Sequence, residues 1–234
     1  MQNPQLTQRV KMDGEKLTLR DTLNAQQGHW DKTFSQKPDM FGRDPSEPAR
    51  RAAEFLQQDG KTLLLELGCG QGRDTLFFAR NGFHVTAADY SQAAVQAIGE
   101  KARAAGVTQF LTPLRLDARQ PFPFAGESFE ACYSHMLYCM ALTTPELERL
   151  SHEVWRMLKP GGINIFTVRH TGDPHCGTGI RRGEDMWEVG GFVVHFFSRE
   201  KVLRLAESYE IVSMEAFEEG GLPRKLFWVT LRKG

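Results

Sequence analysis

The stretch ELGCGQGRD, Glu66 to Asp74, decides the fold. It follows the apolar run Leu63 to Leu65 and sets Gly68, Gly70 and Gly72 at alternate positions. A strand running into such a turn, with a helix behind it, lets the backbone approach a ligand closely. It also leaves free N–H donors at the helix N-terminus. The dinucleotide fingerprint G-x-G-x-x-G would place its third glycine at position 73, where arginine stands. The spacing here is G-x-G-x-G, preceded by the acid Glu66.

Working outward, strand and helix patterns alternate. KTLLLEL, FHVTAAD, QFLTPLRLD, FEACYSHML and INIFTVR read as buried strands. Between them GRDTLFFARNG, SQAAVQAIGEKARAAG and PELERLSHEVWRML read as helices, the second capped by Ser91 and the third stopped by KPGG. Upstream, DPSEPARRAAEFLQQDG is a helix with Ser46 as N-cap and Gly60 as its stop. Pro113 points to an edge or a bend for its strand. This alternation implies a parallel sheet with helices on both faces. After the helix REKVLRLAESY, the strands EIVSMEAF and KLFWVTLRK are joined by EEGGLPR, a connection short enough only for an antiparallel hairpin.

Asp89 ends the second strand, about twenty residues after the glycines, where an acid can accept hydrogen bonds from ribose hydroxyls. Asp117 ends the third strand. With Glu66 this places three carboxylates at strand C-termini, the ligand-binding edge of open α/β sheets. Such an array suits an adenosine ligand that carries positive charge and no phosphate.

LLLELGCGQGRDTLFFARNGFHVTAADYS, with LDA, MLKPGG and the terminal hairpin, resembles the class I S-adenosylmethionine-dependent methyltransferases over residues 60–234. HWDKTF, YSHMLYCMAL and VHFFS look closer to the tellurite-resistance and thiopurine methyltransferase branch. The resemblance implies a Rossmann-like, seven-stranded, mostly parallel sheet with a C-terminal antiparallel hairpin, and S-adenosyl-L-methionine as cofactor. Carried over by position, Glu66, Gly68, Cys69, Gly70 and Gly72 would cradle its methionine part. Asp89 would hold the ribose, Tyr90 would lie beside the adenine, and Asp117 and Ala118 would meet the adenine amino group and ring. Ser134 and His135 would face the sulfonium, and Trp30 and Phe34 would lie on an N-terminal helix closing the site. The expected organisation is an N-terminal helical lid segment over 1–45 and a methyltransferase domain over 46–234.

Residues 169–197 show no strong period, and a loop that long is usually functional. With the N-terminal helix it is expected to cover the substrate. His170 and His195 are candidate base or orienting residues there. His170, His175, Cys176 and His195 match no standard zinc spacing, so no metal is expected. Lys+Arg and Asp+Glu both number 29, a net charge of +0 that argues against a broad grip on nucleic acid or anionic membrane. No apolar run reaches the ~18–20 residues that span a bilayer, and no secretion signal opens the chain. The four cysteines include no CxxC and fit a reducing cytoplasm. The expectation is a cytoplasmic monomer or homodimer that methylates a small molecule: a thiol, a chalcogen oxyanion, or a hydroxyl- or amine-bearing metabolite. The rival readings are a nicotinamide-dependent oxidoreductase and a non-catalytic S-adenosylmethionine-binding protein.

Overall fold

The computed structural model describes residues 18–220 and 224–234. Helix α1 (Leu19–Gln36) is opened by a capping box in which Thr18 and Asp21 exchange side-chain and backbone hydrogen bonds. The part of the lid segment before residue 18 lies outside the described residues. Helix α2 (Glu47–Gln58) starts at Ser46 and buries Ala49, Ala52, Ala53 and Leu56, the i, i+3, i+4, i+7 stripe of an amphipathic helix.

The alternating unit then runs β1 (Leu63–Leu67), α3 (Arg73–Arg80), β2 (His84–Asp89), α4 (Gln92–Ala105), β3 (Leu111–Arg115), β4 (Phe129–His135), α5 (Thr144–Met157) and β5 (Leu158–Arg169). The helix ends at Met157, just before KPGG, and β5 follows without a loop, Lys159–Gly162 already belonging to the strand. Three short strands follow, β6 (Ile180–Gly183), β7 (Met186–Val189) and β8 (Phe192–His195), then α6 (Arg199–Leu205), β9 (Tyr209–Glu219) and β10 (Arg224–Lys233).

The main sheet has the order β3-β2-β1-β4-β5-β10-β9. Its first five strands are parallel, and β10 runs antiparallel to both β5 and β9. Pro113 sits on the edge strand β3, where its missing N–H costs no ladder bond. Both faces are apolar. Leu64, Ile163, Ile165 and Trp228 pack with α2, α3 and α4, whereas Leu65, Phe166, Val168, Val229 and Leu231 pack with α5 and α6.

Residues 169–197 are not the unpatterned loop the sequence suggests. They contain the antiparallel sheet β6-β7-β8. Its four-residue strands are too short to display a period-2 pattern. Gly190 and Gly191, both at positive φ, turn β7 into β8.

Candidate functional site

A cavity of about 810 Å³ opens at the C-terminal ends of the parallel strands. That lies in the upper part of the roughly 300–1,000 Å³ range of small-molecule sites. Its floor comes from the turn after β1 (Gly68, Cys69), the end of β2 (Asp89, Tyr90) and the segment after β3 (Asp117, Ala118), with His135 to Leu137 after β4. Its roof is α1 through Leu23, Gln26, Trp30 and Phe34, together with Phe192 and Val194 of β8.

Local chemistry explains each piece. Gly68 and Gly72 sit at φ +71 and +83, so a side chain there would be strained. The space a Cβ would need is filled by protein: a Cβ at Gly68 would lie 2.8 Å from Leu137 Cβ, and one at Gly72 2.6 Å from Ile98 Cγ1. These two glycines serve the packing of the turn as well as any approach of ligand. A Cβ at Gly70 would lie 3.5 Å from Phe34 of the roof, an ordinary contact distance. Gly70 and Gly72 themselves do not line the cavity.

Asp89 is buried and accepts from Gly70 N and Ser91 N, both at 2.9 Å. Burial pushes its carboxyl up to about 6, against the lowering by those backbone donors. Glu66 lies beneath the turn rather than on the cavity wall, with its Oε2 lacking a hydrogen-bond partner. Burial, with the neighbouring Asp74 charge, raises its carboxyl well above the usual range. The same burial, with the Asp89 and Glu66 charges, raises the Cys69 thiol. Ser134 is likewise wholly buried, its Oγ unpartnered and off the wall.

Asp117 carries a partner the sequence reading did not weigh. Arg119 holds both carboxylate oxygens, Nε to Oδ1 at 2.9 Å and Nη2 to Oδ2 at 2.7 Å. Burial works against the charge of Asp117, but the bonds to Arg119 win and its carboxyl lies below the ordinary value. Arg119 Nη1 also reaches Asn24 of α1 at 2.8 Å, tying floor to roof.

The roof is fastened at several points. Gln26 donates to Gly191 O at 3.0 Å and accepts from Val193 N at 3.1 Å. Asp31 accepts from Ser91 Oγ at 2.7 Å and Ala93 N at 3.0 Å, so α1 helps cap α4. Trp30 lies 5.2 Å from Phe34 and 4.6 Å from Phe192, ring centre to ring centre.

Neither of the two candidate histidines reaches the cavity. His195 is fully buried and not on the wall. Its Nδ1 lies 2.7 Å from Leu142 O and its Nε2 2.6 Å from Lys201 Nζ. The carbonyl can only accept, so Nδ1 carries the proton and Nε2 takes the lysine donor. Burial, and then the Lys201 charge, lowers this ring to about 4, so it stays neutral. His170 stacks on Phe227 at 4.6 Å and accepts from Gly172 N, outside the cavity. The histidines on the wall are His135 and His175. Among the described residues no group of three or more His, Cys, Asp or Glu is arranged to hold a metal. No described helix is long and apolar enough to cross a membrane.

The donor set fits a phosphate-free nucleoside cation. Asp89 and Asp117 stand at adjacent strand ends on the wall. Every cation on the wall already lies within 4.0 Å of a carboxylate: Arg73 of Asp74, Lys101 of Asp39, Arg119 of Asp117, Arg169 of Asp173 and Arg224 of Glu219. A diphosphate would find no free positive pole there.

Comparison with known proteins agrees. Residues 64–162 match the family model described as a methyltransferase domain. The chain is similar to 24-methylenesterol C-methyltransferase 2 of Oryza sativa subsp. japonica, 30% identical over 149 residues, covering 58% of this chain and 38% of that protein. The chain thus spans well under half the length of that relative. Among solved structures it superposes on the 1,6-didemethyltoxoflavin-N1-methyltransferase of Burkholderia thailandensis with bound S-adenosylhomocysteine, with a TM-score of 0.72, 14% identity, and coverage of 95% of this chain and 93% of that one. TehB from Haemophilus influenzae gives a TM-score of 0.65 at 15% identity, covering 88% of this chain and 67% of that one. At these identities the superpositions bear on fold. The matched segment, less than half of the chain, is the part of the sheet that builds the floor of the cavity.

Proposed function

We propose that the protein transfers the methyl group of S-adenosylmethionine to a small-molecule acceptor, under a lid made of α1 and the β6-β7-β8 sheet. The observation that carries this reading is the enclosure. The strand-end acids and a roof of Trp30, Phe34 and Phe192 face one another across one cavity, large enough for a small acceptor beside the cofactor.

Asp89 receives the ribose hydroxyls, with Tyr90 beside the adenine. Asp117 and Ala118 meet the base edge, Asp117 keeping its orientation through Arg119. The turn from Gly68 to Gly72 holds the methionine part, with Glu66 and Ser134 as buried polar groups beneath it and His135 toward the sulfonium. When bound, the cofactor supplies an electrophilic methyl group and a neutral thioether leaving group. What remains for the chain is alignment and exclusion of water. The apolar roof does the second, and the fastening of α1 through Gln26 and Asp31 keeps it in register.

Isothermal calorimetry with S-adenosylmethionine, S-adenosylhomocysteine and NADH tests the reading. Micromolar binding of the first two and none of the third is expected. Binding of NADH alone would favour the nicotinamide-dependent oxidoreductase and overturn it.

A further inference from the structure

Opposite the strand-end acids, the wall carries a carboxylate whose position nothing in the cofactor reading explains. Glu219, the last residue of β9, and His135, the last residue of β4, both line the cavity. Glu219 Oε2 lies 3.4 Å from His135 Nε2. The ring is braced on its other side: His135 Nδ1 lies 2.8 Å from Thr167 Oγ1, which accepts from Met136 N at 3.1 Å. An ionised carboxylate only accepts, so a proton on Nε2 is what faces Glu219. His135 thus flanks a carboxylate that remains partly open to the cavity.

The other charges facing Glu219 are Arg224 on β10, 4.0 Å away, and Arg73 at the start of α3. Burial pushes the Glu219 carboxyl up, but its contact with His135, with the Arg73 and Arg224 charges, outweighs it and leaves the carboxyl below the ordinary value. Glu219 is thus ionised throughout the neutral range.

We propose that Glu219, held by His135, is the pole against which the methyl acceptor sits, and that the acceptor is a neutral nitrogen nucleophile bearing at least one N–H. This deepens the methyltransferase reading and rests on it. The acceptor's lone pair forms the N–C bond as the C–S bond breaks and its electron pair returns to sulfur. The nitrogen becomes cationic, its N–H bonds to the Glu219 carboxylate, and the proton leaves through that carboxylate to solvent as product departs. A fixed negative charge beside a nitrogen gaining positive charge lowers the barrier. The same charge opposes a thiolate or a metalloid oxyanion, which would bring like charge against it.

The test uses the full chain with labelled methyl donor and five probes: benzylamine, aniline, phenol, thiophenol and selenite. Calorimetry with S-adenosylhomocysteine runs alongside. Methylation of an amine probe is expected. Glu219→Gln, of the same shape, should cut kcat for that probe by about 10²-fold, with affinity for S-adenosylhomocysteine within about twofold of wild type. His135→Gln should move the acid limb of kcat/KM to higher pH, because the carboxyl loses the group that lowers it; a merely structural role would leave the limb in place. Glu219 is partly exposed, so the fold should tolerate its variant, and a thermal melt checks this. Methylation confined to thiophenol, selenite or phenol overturns the proposal, as does an unchanged kcat in Glu219→Gln. Cofactor binding with no amine methylated also overturns it. Failure to bind S-adenosylhomocysteine would instead remove the underlying methyltransferase reading.

Discussion

Asp89 gives the sharpest quantitative test of the cofactor site. Its carboxyl is buried, accepts two backbone N–H groups, and is raised to about 6. Ribose hydroxyls bond far more strongly to the ionised form, whose charge assists the hydrogen bonds, than to the protonated one. Cofactor affinity should therefore be flat above pH 7 and fall as pH drops through 6. At pH 5, one unit below that value, only about one protein in eleven holds Asp89 ionised, so Kd rises roughly tenfold, about 1.4 kcal/mol. Asp89→Asn removes the titration and the charge while keeping the shape. At pH 8 it should weaken binding by about 1–3 kcal/mol, the usual loss when hydrogen bonds to a charged group are removed. The assay is calorimetric titration of S-adenosylhomocysteine into wild type and variant from pH 5 to pH 8. Glu66 is a second raised carboxyl nearby, and any slope left in the variant belongs to it. Equal slopes in wild type and Asp89→Asn, or equal affinities at pH 8, would refute the ribose assignment.

The remaining predictions concern the frame of the site. Gly72→Ala puts a methyl 2.6 Å from Ile98 Cγ1 in a left-handed turn and should cost about 2 kcal/mol or more, read as a fall of several degrees in Tm. Gln26→Leu removes both bonds that hold α1 to β8 and leaves Gly191 O and Val193 N unpaired, about 1–3 kcal/mol. Faster amide exchange in residues 19–36 and faster release of S-adenosylhomocysteine should follow; unchanged exchange would show that the roof is held elsewhere. His195 is lowered to about 4 from an ordinary 6.5, so the folded state resists its protonation. Stability should be complete above pH 6.5 and fall by up to about 3 kcal/mol as pH drops to 4. Denaturant melts should show this loss in wild type and not in His195→Gln, whereas a base role would appear in the acid limb of kcat.

Much of this was legible because local chemistry repeats what the fold needs. Ser46 and Ser91 each cap the helix they precede, and Pro113 falls on the edge strand that tolerates it. The glycine turn was legible as a turn, but the reason for two of its glycines was not. Leu137 and Ile98, far along the chain, fill the space at Gly68 and Gly72. The β6-β7-β8 sheet was hidden for a related reason. Four-residue strands carry no readable period, and part of their support comes from Gln26, more than 160 residues earlier.

The histidines show the limit most clearly. In sequence, His170 and His195 stand out because they lie in the one long segment without pattern. In space, His195 is spent on Leu142 and Lys201 and His170 on Phe227 and Gly172. His135 instead meets Glu219, a residue that the sequence places in the EEGGLPR hairpin connection. The sheet order explains why no local signal could reveal the pair. β4 and β9 are separated by β5 and β10, and because β9 runs in the same direction as β4 its end lies at the same edge as the end of β4. Asp89 and Asp117 gather from consecutive, neighbouring strands, whereas Glu219 reaches this edge from β9, on the far side of the sheet. The strand-end acids are therefore written locally in the first three strands, and the pairing of His135 with Glu219 is written only by the order of the strands in the sheet.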